Sequence, residues 1–371
     1  YFVILTKSKY TKLPTKILYA VLNWGLGHAS RSIPIIQSLL KKNIELVIAS
    51  DGEALVLLQK EFPSLTFEVL PSYNVQYAEN AKNFDKAIFF QLGKFGKTIK
   101  EENKLTDLLI RKHNLTHLIS DNRYGVYSKT IPSTIICHQI NLQHKIVFVK
   151  KQINKVHFSL LKKFTEIWVP DFENELAIAS NISSLEFKNE SIFRKLKYIG
   201  LLSRMKKNKL DLNKKFISII LSGPEPQRTI LEEKLLNEIS TINENFILVR
   251  GTEIFENSIQ EKPNLKVYSL LKTEELNALI NQSKIVVCRA GYSSIMDLLK
   301  LEKPAILIPT PGQTEQEYLA THLKNKNWFY SHPQEKLNLK EALLKSQNYS
   351  LPKEIFSQNK LGKTLANFLS L

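Results

Sequence analysis

A short segment near the start of the chain carries the residue types best suited to chemistry. Residues 23–32 read Asn-Trp-Gly-Leu-Gly-His-Ala-Ser-Arg-Ser, between a run typical of a buried strand and a run typical of a helix. Glycines let backbone amides approach a ligand, and a helix N-terminus attracts anions. His28 can accept a proton near neutral pH. The segment predicts a site for a phosphate-bearing substrate with His28 as general base. The alternative is a strand–helix connection in which His28 only hydrogen-bonds the loop.

Two further loops of the N-terminal half supply an alternative catalytic base and residues for an acceptor site. Asp121 directly follows a predicted strand, so it is either a rival catalytic base or a turn residue that caps the next loop. His138 and Gln139 follow the next strand, and we expect them to orient groups in an acceptor site. The residues predicted to bind the acceptor are Gly25, Gly27, Arg31, Arg123, His138 and Gln139.

The C-terminal half repeats the pattern of a strand, small residues and a helix start. Ser222-Gly223 and the run Arg289–Ser294 each offer hydroxyl and amide donors suited to a nucleoside diphosphate. Asp297 can accept two hydrogen bonds from a ribose diol, although the helix dipole alone also favours an acid there. Arg228 either pairs with a phosphate or is an ordinary surface arginine. The sequence holds no Asp-x-Asp pair to chelate a metal–diphosphate, so we expect no metal.

Alternating elements place these loops at one edge of each predicted sheet. Strands are predicted at Ile17–Leu22, Glu45–Ala49, Thr66–Leu70, His117–Ser120, Ser133–Cys137, Ile167–Val169, Phe216–Leu221, Phe246–Val249, Leu265–Tyr268, Ile285–Cys288 and Ala305–Ile308. Helices are predicted near 30–42, 52–61, 86–112, 145–164, 228–240, 273–281, 292–300, 315–325 and 338–346. This order is typical of α/β proteins with doubly wound parallel sheets, which bind ligands beyond the carboxyl ends of the strands.

Length and composition favour two domains. The chain has 371 residues, more than one core usually holds, and its 43% hydrophobic and 23% charged content is ordinary for a folded protein. The lysine-rich stretch 200–215 is suited to a linker between domains at 16–199 and 216–357. We expect residues 1–15 to lie outside the fold. Their apolar start is too short for a signal peptide.

Cysteine content and hydropathy indicate a cytoplasmic protein. Only two cysteines occur, Cys137 and Cys288, and each ends an apolar run, so we expect both to be buried and reduced. They lack the partner cysteines of a zinc site. No run of 18 uncharged apolar residues is present, which argues against a membrane-spanning helix.

The net charge of +17 is concentrated in one region. Basic residues but no acidic ones occur between Asn122 and Thr165. Lys145–Phe164 interleaves lysines with large apolar residues, a pattern that predicts either a helix on the inner face of an anionic plasma membrane or a core-packed helix with solvated lysines. A nucleic-acid-binding protein is a further alternative. No recognition-helix or aromatic RNA-binding signature supports it, so we expect no nucleic-acid partner.

Three motifs, in this order, resemble those of the MurG-type glycosyltransferases with the GT-B fold, the family 28 and family 1-like enzymes. They are the glycine–His28 loop, the run Arg289-Ala290-Gly291-Tyr292-Ser293-Ser294 with Asp297, and Gln316 four residues before Ala320. The resemblance covers residues 16 to 330. It implies two Rossmann-like domains facing across a cleft, and a last helix within 358–371 that crosses back to the first domain. Relatives of this family build cell-envelope polysaccharides and glycolipids.

The resemblance also implies roles for residues. The family transfers a sugar from a UDP-sugar with inversion, and needs neither a metal nor another cofactor. The acceptor would be a lipid-linked sugar or a saccharide. Ser222, Gly223, Ser293 and Ser294 would face the diphosphate, Asp297 the ribose, Glu315 and Gln316 the sugar hydroxyls, and Leu270 and Leu271 the uracil. The donor-binding set predicted for this chain is Ser222, Gly223, Arg228, Arg250, Leu271, Ala290, Gly291, Ser293, Ser294, Asp297, Glu315 and Gln316.

A rival function keeps the same fold. The loop from Gly25 to Arg31 also resembles that of nucleotide-sugar hydrolases, in which a histidine activates water. The sequence leaves open whether His28 deprotonates an acceptor hydroxyl, binds the diphosphate or activates water.

Overall fold

The computed structural model describes residues 14–24, 26–73, 84–144, 146–184, 189–208, 216–252, 263–356 and 360–370. Gly25, predicted to bind the acceptor, and Lys145, the first residue of the predicted basic helix, lie outside them. The described residues form one seven-stranded and one six-stranded sheet. All strand pairs recorded in them are parallel. The predicted α/β class with two parallel sheets is confirmed.

The first sheet belongs to the N-terminal half and has the order β3-β2-β1-β4-β5-β6-β7. Alternate residues of its central strand enter different clusters: Ile17 and Tyr19 pack on one face, and Leu18 and Ala20 on the other. A strand buried on both faces reads as a continuous apolar run, which is why it could be found in the sequence. The strands are β1 (Lys16–Val21), β2 (Glu45–Ser50), β3 (Thr66–Val69), β4 (His117–Asp121), β5 (Ser133–Ile136), β6 (Glu166–Val169) and β7 (Leu196–Tyr198). The helices of this half are α1 (Leu26–Leu40), α2 (Gly52–Glu61), α3 (Phe84–His113), α4 (Val147–Leu161) and α5 (Glu190–Phe193).

The second sheet has the order β10-β9-β8-β11-β12-β13. Its strands are β8 (Phe216–Ile220), β9 (Phe246–Val249), β10 (Leu265–Tyr268), β11 (Ser283–Cys288), β12 (Ala305–Leu307) and β13 (Tyr330–Ser331). The helices that follow α5 are α6 (Gln227–Ile239), α7 (Thr273–Gln282), α8 (Tyr292–Lys300), α9 (Thr314–Asn325), α10 (Leu339–Ser346) and α11 (Leu361–Phe368).

The differences from the predicted elements lie at sheet edges and helix ends. The edge strands β7 and β13 have three and two residues, too few to give a periodic pattern, and they were not predicted. Helix α1 begins at Leu26 rather than near residue 30, so His28 lies in its first turn. Among the described residues, no helix combines the length and apolar character needed to cross a bilayer.

The two halves share one hydrophobic core. Ile36 and Leu39 of α1 belong to the same buried cluster as Ile295 and Leu299 of α8. The segment after β7 also packs on the second half, where the backbone amide of Leu202 lies 3.4 Å from the sulfur of Met296.

The last helix, α11, packs on the first sheet. The ring centroid of Phe368 lies 5.3 Å from that of Trp168 in β6 and 4.9 Å from that of His117 in β4. The chain therefore passes from the first sheet to the second and back again.

Arg123, predicted to bind the acceptor, is instead a structural residue. Its guanidinium is fully buried. It donates to Glu102 at 2.5 Å and to Asp51 at 2.7 Å, and to the carbonyl oxygens of Val21 and Pro71 at 3.2 and 2.5 Å. A side chain enclosed in this way has no nitrogen left for a substrate, so the prediction for Arg123 is wrong. The residue joins α2, α3 and the ends of β1 and β4.

The change Arg123→Met is expected to lower the free energy of unfolding by about 3–5 kcal/mol, because it leaves the carboxylates of Glu102 and Asp51 buried without a counter-charge. Urea unfolding followed by circular dichroism measures this. Lys129→Met is the matched control: Lys129 is an exposed basic residue of the same region, and its loss should change stability by less than about 0.5 kcal/mol. Equal stability of the two variants would contradict the structural role.

Candidate active site

The first turn of α1 and the end of β4 bring His28 and Asp121 together. Because β1 and β4 pair in parallel, with Val21 opposite Asp121, the loop after β1 and the last residue of β4 lie at the same sheet edge. Nδ1 of His28 lies 2.8 Å from Oδ1 of Asp121. The Asp121 side chain is fully buried, whereas that of His28 is 13% exposed. The two residues that the sequence offered as rival bases are in fact hydrogen-bonded to each other.

Arg31 and Ser32 hold the Asp121 carboxylate on its remaining sides. Nε of Arg31 donates to Oδ2 at 2.8 Å, Nη2 of Arg31 pairs with Oδ1, and the Ser32 hydroxyl donates to Oδ2 at 3.1 Å. Residues three and four positions after His28 lie on the same face of a helix. Ser32 was not predicted as a site residue, although this spacing could have revealed it.

The charges of this cluster determine which nitrogen of His28 carries a hydrogen. Burial would raise the pKa of Asp121, but Arg31 and then His28 hold that pKa below its usual range, so the carboxylate is ionised. Burial, and after it Arg31, lowers the pKa of His28 below its ordinary 6.5, so the ring is neutral at pH 7. Nδ1 of His28 lies 2.8 Å from Oδ1 of Asp121 and 2.9 Å from Nη2 of Arg31. Nη2 donates to Oδ1 of Asp121, and an ionised carboxylate only accepts hydrogen bonds, so we assign the ring hydrogen to Nδ1, which donates to the same oxygen.

The other ring nitrogen, Nε2, keeps its lone pair. Among the residues described by the structure, none forms a hydrogen bond with it. His28 thus has the form of a general base, whereas Asp121 is enclosed and orients the ring instead of acting as a base itself. Arg31 is only 3% exposed. Its guanidinium is bound to protein groups, which corrects its prediction as an acceptor-binding residue.

His138 and Gln139 meet Glu315 across the two halves. Nη1 of Arg31 lies 3.0 Å from Nδ1 of His138, and Nε2 of His138 lies 2.7 Å from Oε1 of Glu315. The Gln139 amide donates to Oε2 of Glu315 at 2.6 Å. Residues predicted for opposite substrates therefore bind each other in this structure, and Arg31 links them to Asp121.

Two loops of the C-terminal half present small residues and helix N-termini. Ser222 and Gly223, after β8, are exposed and precede α6; Gly291 precedes α8, and Ser293 and Ser294 in its first turn are partly exposed. Ala290 is fully buried. Because β8 pairs with β11, the two loops are neighbours. Free N–H groups at such helix starts bind anions.

The α8 loop also reaches the His28 loop. The Ser293 hydroxyl donates to the carbonyl oxygen of Gly27 at 3.3 Å. A Cβ atom on Gly27 would lie 2.8 Å from that hydroxyl oxygen. A larger residue at position 27 would require the Ser293 hydroxyl to move, so Gly27 favours this contact between the two halves as well as the approach of a ligand that the sequence suggested.

Asp297 and the leucines after β10 extend the site along the second sheet. Asp297 Oδ1 accepts a hydrogen bond of 2.5 Å from the hydroxyl of Ser203. Burial raises the pKa of Asp297 to about 6, against the lowering effects of Ser203 and Arg204. Leu270 is 48% exposed, and Leu271 is partly buried. Since β8 and β10 are two strands apart, these leucines lie about 10 Å from the Ser222 loop.

Two other predicted donor residues, Arg228 and Arg250, are bound to protein groups. Arg228 pairs with Glu225 and, at 2.8 Å, with Glu232, which also lies 2.6 Å from Arg250. Both arginines are 7% exposed. Arg228 is therefore a buried residue paired with carboxylates, rather than the ordinary surface arginine that the sequence left as an alternative to a phosphate ligand.

Gln316 organises its own loop. Its Oε1 accepts from the backbone amide of Thr310 at 2.9 Å, and its amide nitrogen donates to Gln313 at 2.5 Å.

Across the described ranges, no group of three or more His, Cys, Asp or Glu side chains could hold a metal ion. Cys137 and Cys288 are buried and unpaired, as predicted.

Comparisons with known proteins agree with this geometry. Residues 204–366 match the glycosyltransferase family 28 C-terminal domain. An uncharacterised glycosyltransferase of Methanosarcina acetivorans is 23% identical over 332 residues, 84% of each chain. The UDP-N-acetylglucosamine–N-acetylmuramyl-(pentapeptide) pyrophosphoryl-undecaprenol N-acetylglucosamine transferase of Clostridium botulinum is 24% identical over 152 residues, 40% of this chain and 41% of the relative.

A solved structure shares the complete architecture. The structure of MurG from Acinetobacter baumannii superposes with a TM-score of 0.60 at 12% identity, over 96% of this chain and 100% of that chain. At this identity the likeness shows the fold, and the matched C-terminal domain and the related glycosyltransferases add the activity. The chain is therefore a glycosyltransferase with the GT-B fold, and its residues 204–366 are similar to the glycosyltransferase family 28 C-terminal domain.

Proposed function

We propose that this chain transfers a hexose or an N-acetylhexosamine from a UDP-sugar to a lipid-linked or saccharide acceptor, with inversion at the anomeric carbon and without a metal ion. The observation that carries the proposal is the His28 imidazole. It is oriented by Asp121 at 2.8 Å, and its open nitrogen belongs to a loop that touches the α8 N-terminus. The base would therefore face the site from the N-terminal half, and the anion-binding helix start from the C-terminal half.

Proton transfer and bond exchange follow from this arrangement. Nε2 of His28 removes the proton of an acceptor hydroxyl as the acceptor oxygen forms a bond to the anomeric carbon. The bond from that carbon to the phosphate oxygen breaks, and the electron pair leaves with UDP. Asp121 stabilises the imidazolium that forms, and a positioned base of this kind contributes about 10²–10⁴ in rate. Because base and leaving group stand on opposite sides, a single displacement inverts the configuration.

The helix starts would supply the charge stabilisation that a metal supplies elsewhere. Backbone amides and hydroxyls at Ser222-Gly223 and at Ser293-Ser294 follow the neighbouring strands β8 and β11 and would bind a diphosphate there. Each well-aimed donor of this type is worth about 3–4 kcal/mol in the transition state. These donors are present before the reaction starts, so leaving-group charge can develop on UDP without reorganisation.

The uridine would extend along the sheet toward β10. About 10 Å separates the Ser222 loop from Leu270 and Leu271, a span that suits a nucleoside between its diphosphate and its base. Asp297, on α8, is the carboxylate for the ribose diol, with Ser203 already bound to one of its oxygens. The name of the Clostridium botulinum relative gives UDP-N-acetylglucosamine as its donor and an undecaprenol-linked acceptor, which supports the same classes here.

Purified protein is expected to turn over a UDP-sugar in EDTA, and an added alkyl glycoside acceptor should accelerate UDP release. UDP, at about 100 times its dissociation constant, should stabilise the fold by about 2.7 kcal/mol, and GDP and dTDP should stabilise it less. Turnover measurements and thermal denaturation check both points. Loss of turnover in EDTA that added Mg²⁺ restores would contradict metal independence. Rapid release of free sugar with no acceptor effect would instead support the hydrolase.

The change His28→Ala should lower kcat by about 10²–10⁴ while the affinity for UDP stays nearly unchanged, because the ring touches the acceptor and not the nucleotide. His113→Ala is the matched control: its ring bonds Glu68 at 2.6 Å, outside the site. Since the pKa of His28 is lowered, the neutral base persists at acidic pH, and kcat/KM should fall only below about pH 6.5. Normal turnover in His28→Ala would exclude a catalytic role.

We propose further that α4 docks the enzyme on an anionic membrane. Ile146, Val147 and Phe148 at its start are 59%, 66% and 70% exposed, and Val156 is 61% exposed. Lys151 and Lys155 are exposed beside them, and no acidic residue occurs between Asn122 and Thr165. Apolar side chains can enter the interface while the lysines attract anionic lipid. This surface suits a lipid-linked acceptor.

The double variant Val147→Ser/Phe148→Ser should bind vesicles with about 30% phosphatidylglycerol about tenfold more weakly than the wild type, because two exposed apolar side chains no longer enter the bilayer. Co-sedimentation with vesicles measures the binding. Leu344→Ser is the control, since Leu344 of α10 is 62% exposed elsewhere. Equal binding of both variants to the vesicles, or tight binding to vesicles of neutral lipid alone, would contradict docking through α4.

A further inference from the structure

His138 lies where three parts of the molecule meet. Its Nδ1 faces Arg31 at 3.0 Å, and its Nε2 faces Glu315 at the start of α9 at 2.7 Å. The ring of Tyr292, the first residue of α8, stacks on the His138 ring with centroids 4.2 Å apart and planes at 17°. The Tyr292 hydroxyl donates to the carbonyl oxygen of Pro170, after β6, at 2.7 Å. Two helices of the donor-binding half therefore enclose one histidine of the acceptor-binding half.

The neighbours of His138 permit only one arrangement of its hydrogen. A guanidinium donates and never accepts, and the hydrogen-bond partner of His138 Nδ1 among the described residues is Arg31, so Nδ1 accepts from Arg31 and carries no hydrogen. His28 differs, because Oδ1 of Asp121 lies beside both its Nδ1 and Nη2 of Arg31 and accepts from both. Nε2 then carries the hydrogen and donates to the Glu315 carboxylate. Burial would raise the pKa of Glu315, but His138 and Gln139 hold it below its usual range, so Glu315 accepts from both. The hydrogen on Nε2 thus points to Glu315.

We infer that Glu315 and His138 form a positioning pair across the two domains, which holds Arg31, and through it Asp121 and His28, in the orientation that the reaction needs. The inference rests on the proposed function, since it concerns the base of that reaction. It gives Glu315 a role other than the contact with sugar hydroxyls that the family resemblance implied. It also gives His138 and Gln139 a role other than acceptor binding.

The physical reason lies in the donors of Arg31. Nε and Nη2 bind the two oxygens of Asp121, and Nη1 binds His138. If His138 carried its hydrogen on Nδ1, two donors would face each other at 3.0 Å, and Arg31 would have to move away from Asp121. Movement of Arg31 would release one side of the Asp121 carboxylate and change the direction of the His28 ring. By binding Nε2–H, Glu315 excludes that arrangement.

A consequence for the reaction follows. Glu315 belongs to α9 of the C-terminal half, whereas Arg31, Asp121 and His28 belong to the N-terminal half. The orientation of the base is therefore complete only when the two halves are in contact. An opened enzyme would keep His28 but lose the group that fixes its supports, so proton removal would be confined to the closed state.

The test compares Glu315→Ala, Glu315→Gln and His138→Phe, the last of which keeps the ring on Tyr292 but removes both nitrogens. Glu315→Ala should lower kcat at least tenfold and leave the KM for the UDP-sugar within twofold, because His28 is displaced while the donor site is intact. Glu315→Gln keeps one accepting oxygen and should retain more of the kcat. In the His138→Phe background, Glu315→Ala should have no further effect on kcat, since both changes remove the same support.

Other outcomes would overturn the inference. A raised donor KM with unchanged kcat, in either background, would assign Glu315 to the sugar instead. Additive losses of kcat in the double variant would show that the two residues act separately. Thermal denaturation of each variant with and without UDP verifies that the fold and the nucleotide site persist, so a loss of kcat cannot come from unfolding.

Nuclear magnetic resonance of histidine-labelled enzyme tests the pair without any substrate. The His138 signal, assigned by its absence in His138→Phe, should show a hydrogen on Nε2 and none on Nδ1, and Glu315→Ala should change that pattern. A hydrogen on Nδ1 in the wild type would overturn the inference. If the wild type turned over no UDP-sugar, the proposed function would fail, and this spectrum would still decide whether the pair exists.

Discussion

The site depends on one buried charge, the carboxylate of Asp121. A carboxylate without solvent is strongly unfavourable unless opposite charge and hydrogen bonds surround it. Arg31, Ser32 and His28 supply the opposite charge and the hydrogen bonds, and all three lie on one face of α1. Helix α1 must therefore begin close to the end of β4. This requirement determines the position of the start of α1. The position of Gly27 in turn determines where α8 of the second half can contact the first half.

Much of the fold could be predicted because its strands are buried on both faces. Ile17 to Val21 is a continuous apolar run, and residues 216–221 form one that is interrupted only by the buried Ser218; glycine or polar residues follow each of them. Such runs mark parallel strands without reference to any partner. The strands β7 and β13 were not predicted, because an edge strand of two or three residues is too short to show a periodic pattern. Its pairing is determined by the neighbouring strand.

The sequence indicated which residues belong to the site, but it did not indicate which of them bind each other. His28, Asp121, His138 and Glu315 were all expected in the cleft because each follows a strand. That Asp121 orients His28, and that Glu315 meets His138 177 positions earlier in the chain, are facts of tertiary packing that no local pattern carries. Arg123 was misjudged for the same reason. Its buried partners Glu102 and Asp51 come from α3 and the start of α2, and only the assembled sheet brings them together.

The return of the chain through α11 has a mechanical consequence. Phe368 of α11 packs against Trp168 of the first sheet. The second sheet is therefore inserted in the chain between β7 and α11, and two chain connections join it to the first sheet. A body attached at two points turns most freely about the line through them. We therefore expect any opening of the cleft to be a rotation about a line through these two connections, which would separate α9 from His138.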